Sequence, residues 1–132
     1  MYVRFIMRLS LLSFLFVFSL TSCQQDSKKQ ANNEELIIGR WDVQEAKRNG
    51  RITESLAELY YEFYEDGSMR TNLTGASEQC KFELDNDKLY QRESKMDADF
   101  LIEELNDSML VMSTELRGST FQFLLTKSIL EK

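Results

Sequence analysis

The sequence predicts a small all-β domain, an eight-stranded up-and-down barrel with one short capping helix, which follows an N-terminal signal segment. From residue 36 onward, apolar side chains recur at every second position, which is the spacing of half-buried strands. Turn-forming residues separate these runs at short intervals, as they do in β-sandwiches and barrels. Strands joined in order by short turns favour a closed barrel, because closure leaves no unpaired sheet edge.

Turn signals place the strands in chain order. The first strand is predicted over 37–46. The clearest hairpin covers 59–69 and turns at Asp66-Gly67, which can supply the positive φ angles of a tight turn. In that hairpin Tyr61 and Phe63 share one face. The remaining predicted elements are a hairpin over 80–92, a hairpin over 100–113 and a last strand over 119–126.

One segment departs from the alternating pattern. Residues 53–58 resemble a short capped helix, with Thr53 or Ser55 as its N-cap. We expect this helix to close one end of the barrel with Leu56.

The N-terminus carries the pattern of a secretion signal. Arg4 and Arg8 precede an apolar run over 9–20, which is too short to cross a bilayer, because a spanning helix takes about 20 residues. The next four residues, Leu20-Thr21-Ser22-Cys23, resemble the lipobox of bacterial lipoproteins. The resemblance implies that 1–22 is a signal peptide that is removed and that Cys23 is acylated, with palmitate among the expected chains.

The predicted domain organisation follows from this motif. Residues 23–35 would be the lipidated cysteine and a flexible tether, because 24–35 is polar and shows no apolar periodicity. Residues 36–132 would form the barrel domain. Gln24 stands where an Asp resembles an inner-membrane retention signal in Gram-negative bacteria, so the expected location is the cell envelope, at the outer membrane. The membrane face is left open.

A second resemblance concerns the barrel itself. Ile38-Gly39-Arg40-Trp41 is similar to the Gly-x-Trp motif at the first strand of lipocalins. The resemblance implies that Trp41 lies across the closed base of the barrel and that a cationic residue after the last strand, here Lys127, stacks on it. The wider pattern over 36–127 resembles small lipocalin-like lipoproteins of Gram-negative bacteria.

Inward-facing aromatic side chains are the candidate ligand-binding residues. A small eight-stranded barrel is either just filled by side chains or holds one small ligand, and both alternatives stay open. The candidates are Trp41, Tyr61, Phe63, Phe82, Phe121 and Phe123.

Composition argues against catalysis and against nucleic acid. The chain has no His and a net charge of −6, so it lacks the commonest general base and metal ligand, and it repels phosphates. No catalytic residue, metal site or cofactor is predicted. Cys80 shares a strand face with Phe82 and is expected to be a buried, unreactive thiol.

Two functions remain from the sequence. The first is a non-enzymatic lipoprotein that binds a small apolar or amphipathic ligand, or an envelope component, in the barrel. The alternative is a protein-interaction module with a filled barrel, either an envelope-complex adaptor or an inhibitor of a secreted enzyme, suggested by the outward Tyr60 and Tyr64. Asp107-Ser108-Met109 also resembles an O-glycosylation acceptor of some Gram-negative secreted proteins, with Ser108 as the modified residue.

Overall fold

The computed structural model describes residues 23–129, in which one helix precedes a sheet of nine antiparallel strands. The helix α1 covers Cys23–Ile37. The strands are β1 Gly39–Arg48, β2 Arg51–Ile52, β3 Tyr60–Phe63, β4 Ser68–Thr71, β5 Glu78–Asp85, β6 Lys88–Arg92, β7 Ala98–Leu105, β8 Met109–Leu116 and β9 Ser119–Lys127.

Eight of these strands close into a barrel. Strands β3 to β9 pair with their neighbours in chain order, and β1 pairs with both β3 and β9, which completes the ring. Strand β2 is a two-residue extension that pairs only with the end of β1. A register shift between Val43 and Glu45 bends β1 along β9. The predicted all-β, eight-stranded up-and-down barrel is confirmed.

The antiparallel order gives the barrel two different ends. We call the end that holds the start of β1 and the end of β9 the base, and the opposite one the upper end. The base carries the turns at 64–67, 86–87 and 106–108. The upper end carries the turns at 49–50 and 117–118 and the loops 53–59, 72–77 and 93–97.

The sequence alternation corresponds to the two faces of the sheet. In β3, Tyr61 and Phe63 are buried, whereas Tyr60 and Glu62 are half-buried on the outer face. Strands β6, β7 and β8 alternate in the same way. The barrel therefore has a continuous apolar core to which every strand except β2 contributes.

The segment predicted as a flexible tether, 24–35, lies within helix α1 instead. The C-terminal half of α1 docks on the base of the barrel, where Gln30 Nε2 donates to the Leu84 carbonyl oxygen at 2.7 Å and Asn33 Nδ2 donates to that of Asn86 at 2.9 Å. The Asn86 amide in turn donates to Gln30 Oε1. Positions 30, 33 and 37 lie on one helical face, and Asn33 and Ile37 are buried.

The predicted helix over 53–58 is wrong. Those residues form successive turns, in which the Ala57 amide donates to the Glu54 carbonyl oxygen at 3.1 Å and the Leu59 amide to that of Leu56 at 3.1 Å. Six residues are too few to repay the cost of helix nucleation. Leu56 nevertheless packs against the core at the upper end, as expected.

The predicted signal peptide, 1–22, lies outside the described residues. Within 23–129, no helix is both long and apolar enough to cross a membrane.

Helix docking provides the first test. Ile37 is fully buried at the end of α1, so we expect Ile37→Ala to lower the free energy of unfolding by about 2–4 kcal/mol. Ile52→Ala makes the same chemical change at a side chain that is 67% exposed, and it should cost no more than about 0.5 kcal/mol. Urea unfolding of both variants measures the difference. Equal effects would show that α1 does not contribute to the core.

Candidate ligand-binding site

The base of the barrel is closed around Trp41. The indole Nε1 donates to the Ile37 carbonyl oxygen at 2.8 Å, and Lys127 Nζ lies 5.1 Å from the centroid of the indole ring. The same ammonium donates to the Leu36 carbonyl oxygen at 3.0 Å. The contact that the resemblance implied for Lys127 is therefore present, as a cation–π interaction of about 0.5–2 kcal/mol.

Aromatic rings fill the barrel above Trp41. The ring of Tyr61 stacks on Phe63 at 6.2 Å between centroids, meets Phe100 edge-on at 5.7 Å and contacts Phe123 at 6.5 Å. Phe63 in turn meets Phe82 at 5.0 Å. These separations are those of directly packed rings, so side chains occupy this layer of the barrel.

The six predicted ligand-binding residues divide into two groups. Trp41, Tyr61, Phe63 and Phe123 are at most 1% exposed. Phe82 and Phe121 are only partly buried, so these two have surface that a ligand could reach. A ligand role for any of the six stays a prediction. The alternation did not identify Phe100, which faces the same interior.

Several buried side chains at the upper end of the interior are polar. Thr71, Gln91, Thr114 and Ser119 are buried polar residues near the upper ends of their strands. Sequence reasoning missed them. Gln91 could have been found, because it follows the buried Leu89 at an inward position of β6.

Two polar atoms of this region are buried without a hydrogen-bond partner among the described residues. They are Tyr61 Oη and Gln91 Oε1. The amide nitrogen of Gln91 is satisfied, because it donates to Ser94 Oγ at 2.8 Å and to the Met96 carbonyl oxygen at 3.0 Å. An unsatisfied buried polar atom lowers the free energy of unfolding by about 1–3 kcal/mol. A hydrogen-bond partner for either atom would therefore stabilise the protein.

Burial also fixes the protonation of the Tyr61 hydroxyl. Removal from water raises its pKa far above the usual value, and the nearby Cys80 raises it further. The Thr71 hydroxyl acts in the opposite direction, but its own proton goes to the Tyr60 carbonyl oxygen at 2.8 Å, and it forms no hydrogen bond of good geometry with Tyr61. Tyr61 therefore remains a neutral hydroxyl.

Of the outward residues singled out in the sequence, Tyr60 has partners within the chain and Ser108 is exposed. The Tyr60 ring lies under the Arg40 guanidinium at 4.1 Å, and its hydroxyl is 2.6 Å from Ser77 Oγ. Ser108 is exposed in the β7–β8 turn. The described residues contain no group of three or more His, Cys, Asp or Glu placed to hold a metal ion.

The Cys80 thiol gives a test of the interior's accessibility. Cys80 is free and buried, as predicted. Burial raises the pKa of the thiol to about 11, with smaller contributions from the carboxylates of Glu78 and Asp97. The reactive thiolate is therefore a minute fraction at pH 8. With Cys23→Ser to leave one thiol, iodoacetamide at that pH should label the native protein at least about 100-fold more slowly than the urea-unfolded protein. Equal rates would contradict a closed interior around Cys80.

Comparison with known structures bears on the fold. A lipocalin-like protein from Bacteroides uniformis, known from a crystal structure, matches with a TM-score of 0.51 at 16% sequence identity, over 70% of this chain and 98% of that chain. No protein-family model matches the sequence, and no curated protein does. At this identity the likeness establishes the architecture alone. This chain therefore has a lipocalin-like fold.

Proposed function

We propose that this chain is a lipid-anchored binding protein of the bacterial outer membrane, which holds the polar group of a small amphipathic molecule at the upper end of its barrel. The observation that carries the proposal is the pair of unpartnered buried atoms, Tyr61 Oη and Gln91 Oε1. A ligand with a hydroxyl or amide group could supply a donor to Gln91 and either a donor or an acceptor to Tyr61.

The apolar part of the ligand also has candidate contacts. Apolar side chains with accessible surface pack against the core at the upper end. A tail that leaves the polar group would lie against them, where each buried CH₂ contributes about 0.8 kcal/mol. These side chains are Leu56, Leu73, Leu116 and Phe121.

The anchor part of the proposal rests on the lipobox resemblance. Helix α1 begins at Cys23 and its C-terminal half docks on the base. A lipid at Cys23 would thus be joined to the barrel by a helix of about 20 Å, and not by a coil. In this arrangement the base is the end tied to the membrane.

The anchor is tested by separating lipidation from secretion. If 1–22 is replaced by an ordinary cleavable signal and Cys23 is changed to Ser, we expect the protein to leave the membrane fraction and the detergent phase of a Triton X-114 partition. Cys80→Ser behind the native signal is the control, and it should stay membrane-bound. Retention of the first variant in the membrane fraction would disprove anchoring through Cys23.

The ligand site is tested by Tyr61→Phe. In ligand-free protein this change removes a hydroxyl that has no partner, so the free energy of unfolding should stay the same or rise by up to about 2 kcal/mol. Protein purified from the envelope should carry a small molecule in native mass spectra, with lower occupancy in Tyr61→Phe. The matched control is Tyr60→Phe, whose hydroxyl already bonds to Ser77, and it should keep the ligand. A wild-type protein isolated without any bound molecule would overturn the proposal.

The alternative, a protein-interaction module, has less support. It depends on outward tyrosines that are available to contact another protein. The Tyr60 ring, however, contacts the Arg40 guanidinium, and its hydroxyl is hydrogen-bonded to Ser77. Envelope pull-downs test the alternative directly: it requires that the wild type recovers a partner protein and that Tyr60→Ala or Tyr64→Ala loses it.

A further inference from the structure

We propose a second ligand site at the base of the barrel, a side groove that binds a small cationic amphiphile. The groove has a volume of about 430 Å³ and lies between the C-terminal end of α1, the β3–β4 turn and the end of β5. The groove is at the opposite end of the barrel from Tyr61 Oη and Gln91 Oε1. This proposal can therefore be tested independently of the upper site.

The groove exists because β5 continues past the start of β4. Ser68, the first residue of β4, pairs with Lys81, whereas β5 continues to Asp85. The inner side chains of Phe82 and Leu84 therefore have no β4 side chain beside them. Gly67, with a φ of 83°, adds no side chain there, and its carbonyl oxygen accepts the Phe82 amide at 3.0 Å.

The floor of the groove is apolar. Ile38, Phe82 and Leu84 line it and are only partly buried. The Phe82 ring is 5.0 Å from the buried Phe63, so the floor is continuous with the core. A volume of this size falls within the range of small-molecule pockets, about 300–1,000 Å³.

The rim of the groove is acidic. Glu34 and Glu35 on α1 and Glu65 in the β3–β4 turn contribute carboxylates, and no Lys or Arg lines the groove. Within 23–129 none of the three forms a salt bridge, although Glu34 accepts the Gln30 amide at 2.6 Å. The Lys127 ammonium, which lies at this end of α1, is held by the Leu36 carbonyl oxygen and the Trp41 ring.

An apolar floor below three carboxylates selects a ligand with one charged end. A primary or quaternary ammonium would lie at the rim, where the negative charges attract it, and its alkyl chain would cover Phe82 and Leu84. An anionic head group would meet repulsion at the same place. The occupant is thus a single-chain cationic amphiphile.

The test uses the mature chain without lipid, 23–132 with Cys23→Ser, which keeps the whole described fold. Dodecyltrimethylammonium below its micellar concentration is the probe, followed by calorimetry and by NMR shifts of the backbone amides. We expect saturable binding with shifts centred on 34–38, 65–67 and 82–84. Glu34→Gln, Glu35→Gln and Glu65→Gln combined should weaken binding about tenfold at low salt, and about 0.5 M salt should weaken the wild type similarly.

A charge-matched control separates the site from the overall acidity of the chain. Glu54→Gln, Glu58→Gln and Glu115→Gln remove the same charge from exposed positions toward the upper end, and they should leave affinity within about twofold. Leu84→Ser should weaken binding without loss of the β-sheet circular dichroism. The proposal would be overturned if dodecyl sulfate bound as tightly as dodecyltrimethylammonium, or if both triple variants lost affinity equally. NMR shifts spread over the whole barrel would also overturn it. So would tighter binding of a Lys-Leu peptide than of the alkylammonium.

Discussion

The barrel depends on the contacts that Trp41 makes at its base. Trp41 and Lys127 are paired residues of β1 and β9, the two strands whose pairing closes the ring. The indole and the ammonium each donate to a carbonyl oxygen in the last turn of α1, where a helix leaves its carbonyls unsatisfied. Two side chains thus close the barrel, cap the helix and fix the helix on the barrel. Gly39 is part of the same arrangement, because its φ is 121° and a Cβ there would lie 2.9 Å from Lys127 Cε.

A closed base limits where the proposed ligands could be held. Trp41 and the rings around Tyr61 occupy the lower and middle barrel. The proposed ligands use accessible apolar surface beside the core in two places. One is the upper end, where buried polar side chains lie beside partly buried apolar ones. The other is the side groove, which forms because β4 starts late relative to β5. Both places follow from strand lengths and residue sizes, and neither requires a large empty calyx.

The strands could be predicted from sequence because their signals are local. Alternation fixes the faces of a strand, and a turn such as Asp66-Gly67 carries its own chemistry, since Asp66 Oδ1 accepts the Ser68 amide at 2.9 Å. Helix α1 could not be predicted in this way. Gln30 and Asn33 hold it through hydrogen bonds to the end of β5 and the β5–β6 turn, more than fifty residues away, and such polar contacts leave no apolar period in the sequence. The aromatic lining was likewise predictable, but the missing partners of Tyr61 and Gln91 appear only in three dimensions.

The two proposed sites would select different chemistry because their solvent exposure differs. No charged side chain is buried among residues 24–129, so an ionic group held beside Tyr61 Oη and Gln91 Oε1 would lose hydration that these neutral atoms replace only in part. The Tyr61 hydroxyl stays protonated, and with Gln91 Oε1 it suits a neutral group that can both donate and accept. At the side groove the carboxylates of Glu34, Glu35 and Glu65 remain in water, where a cation keeps part of its hydration while its chain is buried. The two proposals, a neutral polar head at one end of the barrel and a cationic head at the other, thus rest on one distribution of charge.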